Sequence, residues 1–273
     1  MNKRTKCGVT YMSFDIFEKM GIKHGFSTRL GGVSEGVFST MNLGFNRGDS
    51  DENVRENYRR IAKALDINYE NMCFTRQTHT TNVVIVDKSS AGNGIVTPNK
   101  FNDVDGLITD EPDLPLVTFH ADCVPVFFYD PVKKVVALSH SGWRGTVGKI
   151  SKVTIEKMVA NFGTDPGNVI CGIGPSICKD CYEISADVAE AFRSAFKASD
   201  VDRILRPSIF NPEDKDKYML GLWEAVRIAL LEAGVKEEHI EVTDYCTRCH
   251  TELFYSHRVM GTDRGSQASF ISL

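Results

Sequence analysis

Between Leu116 and Leu138 the chain carries three apolar runs, Leu116-Val-Thr-Phe119, Val124-Pro-Val-Phe-Phe-Tyr129 and Val135-Val-Ala-Leu138, parted only by turn residues. Runs this short read as strands, and a continuous rather than alternating apolar pattern marks strands buried on both faces. Any fold for this chain must cover both sides of that segment. Another β run, Val83-Val-Ile-Val86, precedes it, followed by a polar, Gly-containing stretch from Asp87 to Asn102 that is the longest candidate loop.

Helical spacing of Val54, Tyr58, Ile61, Ala62 and Leu65 predicts a helix capped by Ser50 or Asp51. A second is expected over Val147 to Phe162, with Ile150, Val153, Met158, Val159 and Phe162 on one face. Two more are expected over Ala186 to Lys197 and Met219 to Ala233, the last closed by Gly234. Val169–Ile173, Ile240–Thr243, Leu253–Tyr255 and Ala268–Ile271 read as further strands. Helices and strands mix without regular alternation, so the expected class is α+β, one domain over residues 1–273 with mixed β-sheets and flanking helices.

The 42% hydrophobic share is ample for a full core. A formal net charge of -4 argues against a general nucleic-acid binder. No apolar run approaches bilayer length, and the basic start Met1-Asn-Lys-Arg-Thr-Lys leads into no apolar stretch, so no membrane association and a cytoplasmic location are expected. Eight cysteines in 273 residues are too sparse for a disulfide scaffold, and most are expected as buried thiols. Nothing in the pattern speaks to oligomeric state.

Three short islands flank the apolar segment: Gln77-Thr-His79, Ala121-Asp-Cys123 and His140-Ser-Gly-Trp-Arg-Gly145. Two imidazoles and a thiolate suit tetrahedral zinc, and three protein ligands leave one position for water or substrate. The same donors can take copper. Cys123 also qualifies as a nucleophile with His140 as base, a reading that needs no metal. Asp122 can serve as general acid or base, can orient a histidine, or can point away from Cys123 on the opposite strand face. Trp143 offers a stacking face and Arg144 an anion-binding fork.

These islands, taken with His24-Gly-Phe-Ser-Thr-Arg29-Leu-Gly-Gly-Val-Ser34, Met41-Asn42-Leu-Gly44, Asp105-Gly-Leu-Ile-Thr-Asp110, Gly172-Ile-Gly-Pro175, Cys246-Thr-Arg-Cys249 and Thr262-Asp-Arg264, resemble the YfiH-type family. Its members are also described as laccase-domain or polyphenol-oxidase-like proteins and as purine nucleoside phosphorylases. The resemblance runs over nearly the whole chain. It implies a YfiH-like fold, zinc ligands at His79, Cys123 and His140, and phosphate-dependent cleavage of adenosine, inosine, guanosine or methylthioadenosine, with adenosine deamination beside it. Substrate and anion contacts are then expected from Arg29, Asn42 and Arg144, with Gly31 and Gly32 offering backbone N–H groups beside Arg29. Thr80, Ser141 and Asp263 stand where the family usually has Gly, Ala and Gly; Thr80 adds bulk beside the site.

Other activities remain open at this stage: a Cys-His hydrolase acting on a cell-wall precursor amide, a copper-dependent polyphenol oxidase, or a zinc-binding protein without catalysis. A multicopper cluster needs many histidines, usually as His-x-His pairs, and this chain has seven histidines and no such pair. Cys246-Thr-Arg-Cys249-His250 imitates a haem-attachment motif, and His239-Ile-Glu241 with Cys246-x-x-Cys249 imitates a nucleobase-deaminase signature with too short a spacing. Cys178/Cys181 and Cys246/Cys249 resemble two zinc knuckles, but roughly sixty residues and expected helices lie between them, so a zinc ribbon would require long-range convergence and buried thiols are the expectation.

Overall fold

The computed structural model describes residues 1–273. The apolar middle segment forms strands Leu116–His120, Val124–Asp130 and Val135–Ser141. The first lies in one six-stranded sheet and the other two in a second. Strand order in the first sheet is Asn2–Lys6, Val9–Ser13, Lys23–Ser27, Gln267–Ser272, Leu116–His120, Cys73–Phe74. In the second it is Ile240–Val242, Ile170–Ile173, Val124–Asp130, Val135–Ser141, Gly106–Thr109, Val83–Ile85. A small third sheet joins Glu183–Ser185, Lys217–Leu220 and Leu205–Pro207. The class is α+β, as expected.

Side-chain alternation explains why the middle strands are apolar throughout. Phe127, Tyr129, Val136 and Leu138 share one core with Leu116 and Ile271 of the first sheet. Their neighbours Val126, Phe128, Val135 and Ala137 enter a second core with Ile155, Met158, Val226 and Leu230 of helices Ile150–Phe162 and Leu222–Glu232. The outer face of the first sheet, through Val117, Ala268 and Phe270, packs on Val54, Tyr58, Ile61 and Leu65 of helix Asp51–Leu65. The layers therefore run helix, sheet, sheet, helices. Each fully buried large apolar side chain contributes about 1.5–3 kcal/mol to that stack.

Several boundaries differ from expectation. The helix expected from Val147 is two, Trp143–Val147 and Ile150–Phe162, parted by Lys149 in the left-handed region (φ 54°). A Cβ on Gly148 would lie 2.5 Å from Thr81 Cγ2, so the break lets this turn pass tightly against the loop after His79. Met219 belongs to strand Lys217–Leu220 and not to the helix after it. Leu253–Tyr255 is a buried turn rather than a strand. The hairpin Asn2–Lys6/Val9–Ser13 was not anticipated, because its outer strand is mostly exposed and carries no apolar periodicity. No helix is long and apolar enough to cross a membrane.

Candidate metal centre

The chain crosses between the two sheets twice near one spot. One crossing, from Cys73–Phe74 to Val83–Ile85, carries His79; the other, from Leu116–His120 to Val124–Asp130, carries Cys123. His140 pairs with Pro125 across the ladder, and shares the inter-sheet face with Val136 and Leu138. All three side chains therefore reach the open end of the inter-sheet core. Their donor atoms lie within 4.8 Å of one another, and Cys123 Sγ is 3.8 Å from His79 Nε2. Bonds of ~2.0–2.3 Å at tetrahedral angles place such atoms about 3.5 Å apart. The donor set fits one ion with a vacant position.

Two aspartates hold the ligand loops. Asp105, with its side chain fully buried, accepts the Nδ1–H of His140 at 2.8 Å, which leaves Nε2 free to face the other donors. It also accepts the backbone N–H groups of Thr78, His79 and Thr80 and the Thr80 hydroxyl. These bonds fix His79 in a left-handed backbone conformation (φ 68°), one that non-glycine residues enter only when their surroundings compel it. Thr80, beside the site, turns its hydroxyl to Asp105.

Asp122 does the parallel job on the other loop, also with left-handed backbone (φ 79°). Its carboxylate accepts the Thr247 hydroxyl at 2.6 Å, the Ser256 hydroxyl at 3.1 Å and the Arg258 N–H at 2.7 Å. Both oxygens thus accept hydrogen bonds from the Thr247–Arg258 segment, and the carboxylate makes no hydrogen bond to His79, Cys123 or His140.

A cavity of about 670 Å³ opens at the cluster, lined by His79, Cys123 and His140 together with Arg47, Arg264 and Phe119 among others. That volume suits a small organic ligand. None of the three contacts expected from sequence lines it. Arg29 donates to the carbonyls of Ser39 and Thr251 and lies over the Tyr255 ring, while the N–H groups of Gly31 and Gly32 go to Thr40 Oγ1. Asn42 is fully buried; its Oδ1 accepts the N–H groups of Gly44 and Ser266, so it shapes the cavity wall from behind. Arg144 is exposed and stacks on Trp143.

Arg264 and Arg47 are the cationic residues that line the cavity beside His79, Cys123 and His140, with Arg55 and Arg76 further along it. Arg264 is only 7% exposed, yet no carboxylate pairs with it; NH1 donates to Gly265 O and Ser266 Oγ, and its buried Nε has no partner. Burial, then the nearby charge of Arg47, pull its pKa down to about 10. It remains cationic at neutral pH, a buried charge aimed at a cavity. His120 is a second residue not foreseen: its Nε2 meets Thr118 Oγ1 at 2.8 Å and its Nδ1 meets Cys123 O at 3.2 Å, so both nitrogens are already used. Burial holds its pKa well below the usual histidine value, and it stands neutral beside His140.

The two remote cysteine pairs also depart from expectation. Cys178, Cys181, Cys246 and Cys249 converge, with all four sulfurs within 4.8 Å.

Two facing six-stranded sheets with a single His-Cys-His cluster at their crossing define a layered α+β protein carrying one three-donor site. The family model described as "Multi-copper polyphenol oxidoreductase laccase" matches residues 23–273, and the chain belongs to that family, the YfiH type. It is similar to "Purine nucleoside phosphorylase YlmD" of Bacillus subtilis, 34% identical over 91% of this chain and 87% of the relative. It is also similar to "Adenosine deaminase RL5" of an unknown prokaryotic organism, 33% identical over 88% of this chain and 90% of the relative. The solved structure of Bacillus licheniformis hypothetical protein YfiH superposes with a TM-score of 0.90 at 32% identity, covering 99% of this chain and 98% of that one.

Proposed function

We propose that this protein is a zinc-dependent purine nucleoside phosphorylase with accompanying adenosine deaminase activity. The observation that carries the reading is Arg264: a buried guanidinium without a counter-ion, opening into the same cavity as His79, Cys123 and His140. A buried charge is costly unless paired, so the cavity is built to receive an anion. Phosphate meets that need, and the names of the relatives supply the nucleoside.

In phosphorolysis an oxygen of phosphate forms a bond to C1′ as the C1′–N9 bond breaks, and the bonding pair leaves on the purine. Arg264 and Arg47 would hold the phosphate and offset its charge as it nears the sugar. Phe119 and Phe45 give apolar walls against which a base can lie. His79, Cys123 and His140 would hold zinc, which when bound supplies Lewis-acid polarisation of substrate or water. Asp105 keeps His140 in the tautomer that presents Nε2.

Inosine supplied with phosphate should yield free base and ribose 1-phosphate, and omission of phosphate should stop base release; base release without phosphate would overturn the reading. Arg264→Met should raise the KM for phosphate by roughly 10–100-fold, the loss of a charge-assisted pair worth about 1.5–3 kcal/mol. The KM for inosine should move much less. Initial rates over a phosphate series check this.

Without metal, Cys123 and His140 form a charged pair. Burial pushes the Cys123 thiol up, but the charge on His140 and hydrogen bonds from both histidines outweigh it and bring it down to about 6. Burial likewise opposes charge on His140, yet the Cys123 thiolate and Asp105 raise it to about 9. Metal uptake between these values must displace about one proton, from His140; below about pH 6 it must displace a second, from Cys123. Apparent zinc affinity should therefore fall by at least about tenfold per pH unit from pH 8 to 6 and by at least roughly a hundredfold per unit below that. Chelator competition at pH 5.5 and 7.5 reads the difference.

The same thiolate–imidazolium pair supports one second reading, a metal-free Cys-His hydrolase. Turnover that survives complete zinc removal would favour it. A multicopper oxidase finds less support, since the cavity holds one three-donor set and its other nearby histidine, His120, has both nitrogens engaged.

A further inference from the structure

We propose that Cys178, Cys181, Cys246 and Cys249 form a second metal site, a closed tetrathiolate that takes one zinc ion and fixes the loop bearing Cys123. Both pairs have Cys-x-x-Cys spacing, which places two sulfurs of one tight turn on a common ion. Cys178 starts the turn at Lys179–Cys181, and Cys246 starts the turn through Cys249. The Cys181 and Cys249 sulfurs lie 3.4 Å apart, too far for the ~2.05 Å of a disulfide. Sulfurs sharing one tetrahedral zinc at ~2.3 Å lie about 3.8 Å apart. The Cys178 N–H points at Cys246 Sγ at 3.3 Å, a bond that favours a thiolate there. Four protein sulfurs leave no open coordination position, so this ion would be structural.

The long separation in sequence is bridged by strand pairing. Ile170–Ile173 and Ile240–Val242 run parallel in the second sheet, and both continue past the same end of it, held by a further bridge from Ser176 to Cys246. Each turn then reaches the other crossing. Ile177 N–H donates to Asp122 O, and the Thr247 hydroxyl donates to Asp122 Oδ1. Asp122 is the left-handed residue just before Cys123. An ion joining the two turns thus secures two of the groups that hold Asp122, Ile177 N–H and the Thr247 hydroxyl, and through that residue the loop bearing Cys123.

The test separates this site from the first. In the double variant His79→Ala/Cys123→Ser, expressed with zinc and dialysed, elemental analysis should find about one zinc per chain. Adding Cys181→Ser/Cys249→Ser should remove it. Because those variants could fail to fold, the same question is put to the unaltered protein by mapping alkylation with mass spectrometry. Cys178, Cys181, Cys246 and Cys249 should be protected together, and should become reactive together after chelation. Cobalt in place of zinc should give the intense visible bands of a tetrahedral thiolate complex. No zinc in the first double variant, two disulfides among the four cysteines, or bound iron in place of zinc would each overturn the proposal.

Discussion

Gly142→Ala is expected to fold normally and to lose its active-site metal and its nucleoside turnover together. Gly142 has φ −72° and ψ 175°, which alanine adopts without strain. The space is what forbids a side chain: a Cβ there would meet His79 Cδ2 at 2.7 Å, Cys123 Sγ at 3.2 Å and His79 Nε2 at 3.5 Å. The methyl group would stand among the donors, in the cradle left for an ion. His79 cannot retreat cheaply, because Asp105 grips its backbone. Displaced ligands should lower zinc affinity by roughly 100-fold or more, since even changes one shell further out typically cost 10–100-fold. Metal content, inosine phosphorolysis and a melting curve measured together check this. Full zinc occupancy with full turnover would show that the cradle is not where the ion sits.

Asp105→Ala should be the more damaging change to the fold as well as the site. It leaves three backbone N–H groups, a hydroxyl and the Nδ1 of His140 without the fully buried carboxylate that accepts from them all. Removing one partner from such a buried network costs about 3–5 kcal/mol. The melting temperature should fall by roughly 10 °C, at ~2–4 °C per kcal/mol for a chain of this size class. His79 would lose what holds its left-handed backbone, and His140 the bond that sets its tautomer, so zinc affinity should fall by more than for Gly142→Ala. Asp105→Asn keeps the shape but offers one acceptor oxygen in place of two. It should recover most of the melting temperature and little of the metal affinity. Equal recovery of both would assign Asp105 to folding alone.

The sheets were legible where burial on both faces left an unbroken apolar run, as at Val124–Asp130 and Val135–Ser141. They were illegible where a strand is short, exposed or polar, as at Asn2–Lys6. Leu253–Tyr255 misled for the converse reason: Phe254 and Tyr255 are fully buried, but in a turn, and apolar character reports burial rather than backbone shape. The cluster His79, Cys123 and His140 could be named because ligand chemistry is carried by residue type, and family likeness supplied the set. What each neighbour does depends on where its side chain points, and that is decided by tertiary contacts. Arg29 and Asn42 are tied into loops, whereas Arg264, inside the quoted Thr-Asp-Arg motif, carries the unpaired charge. Asp105 also lay inside a quoted motif; its position opposite two ligand loops is visible only in the fold. The four-cysteine convergence was hidden because it arises from a parallel strand pair distant in sequence.

The proposed activity requires His79, Cys123 and His140 to close around one zinc ion. The most direct measurement pairs zinc stoichiometry with phosphate-dependent inosine cleavage in the unaltered protein and in His79→Ala, both purified under the same zinc-replete conditions. His79→Ala should carry about one zinc fewer per chain and cleave inosine at a rate indistinguishable from background, while its circular dichroism is unchanged. An unchanged zinc count, or inosine cleavage that persists when that zinc is gone, would contradict that requirement.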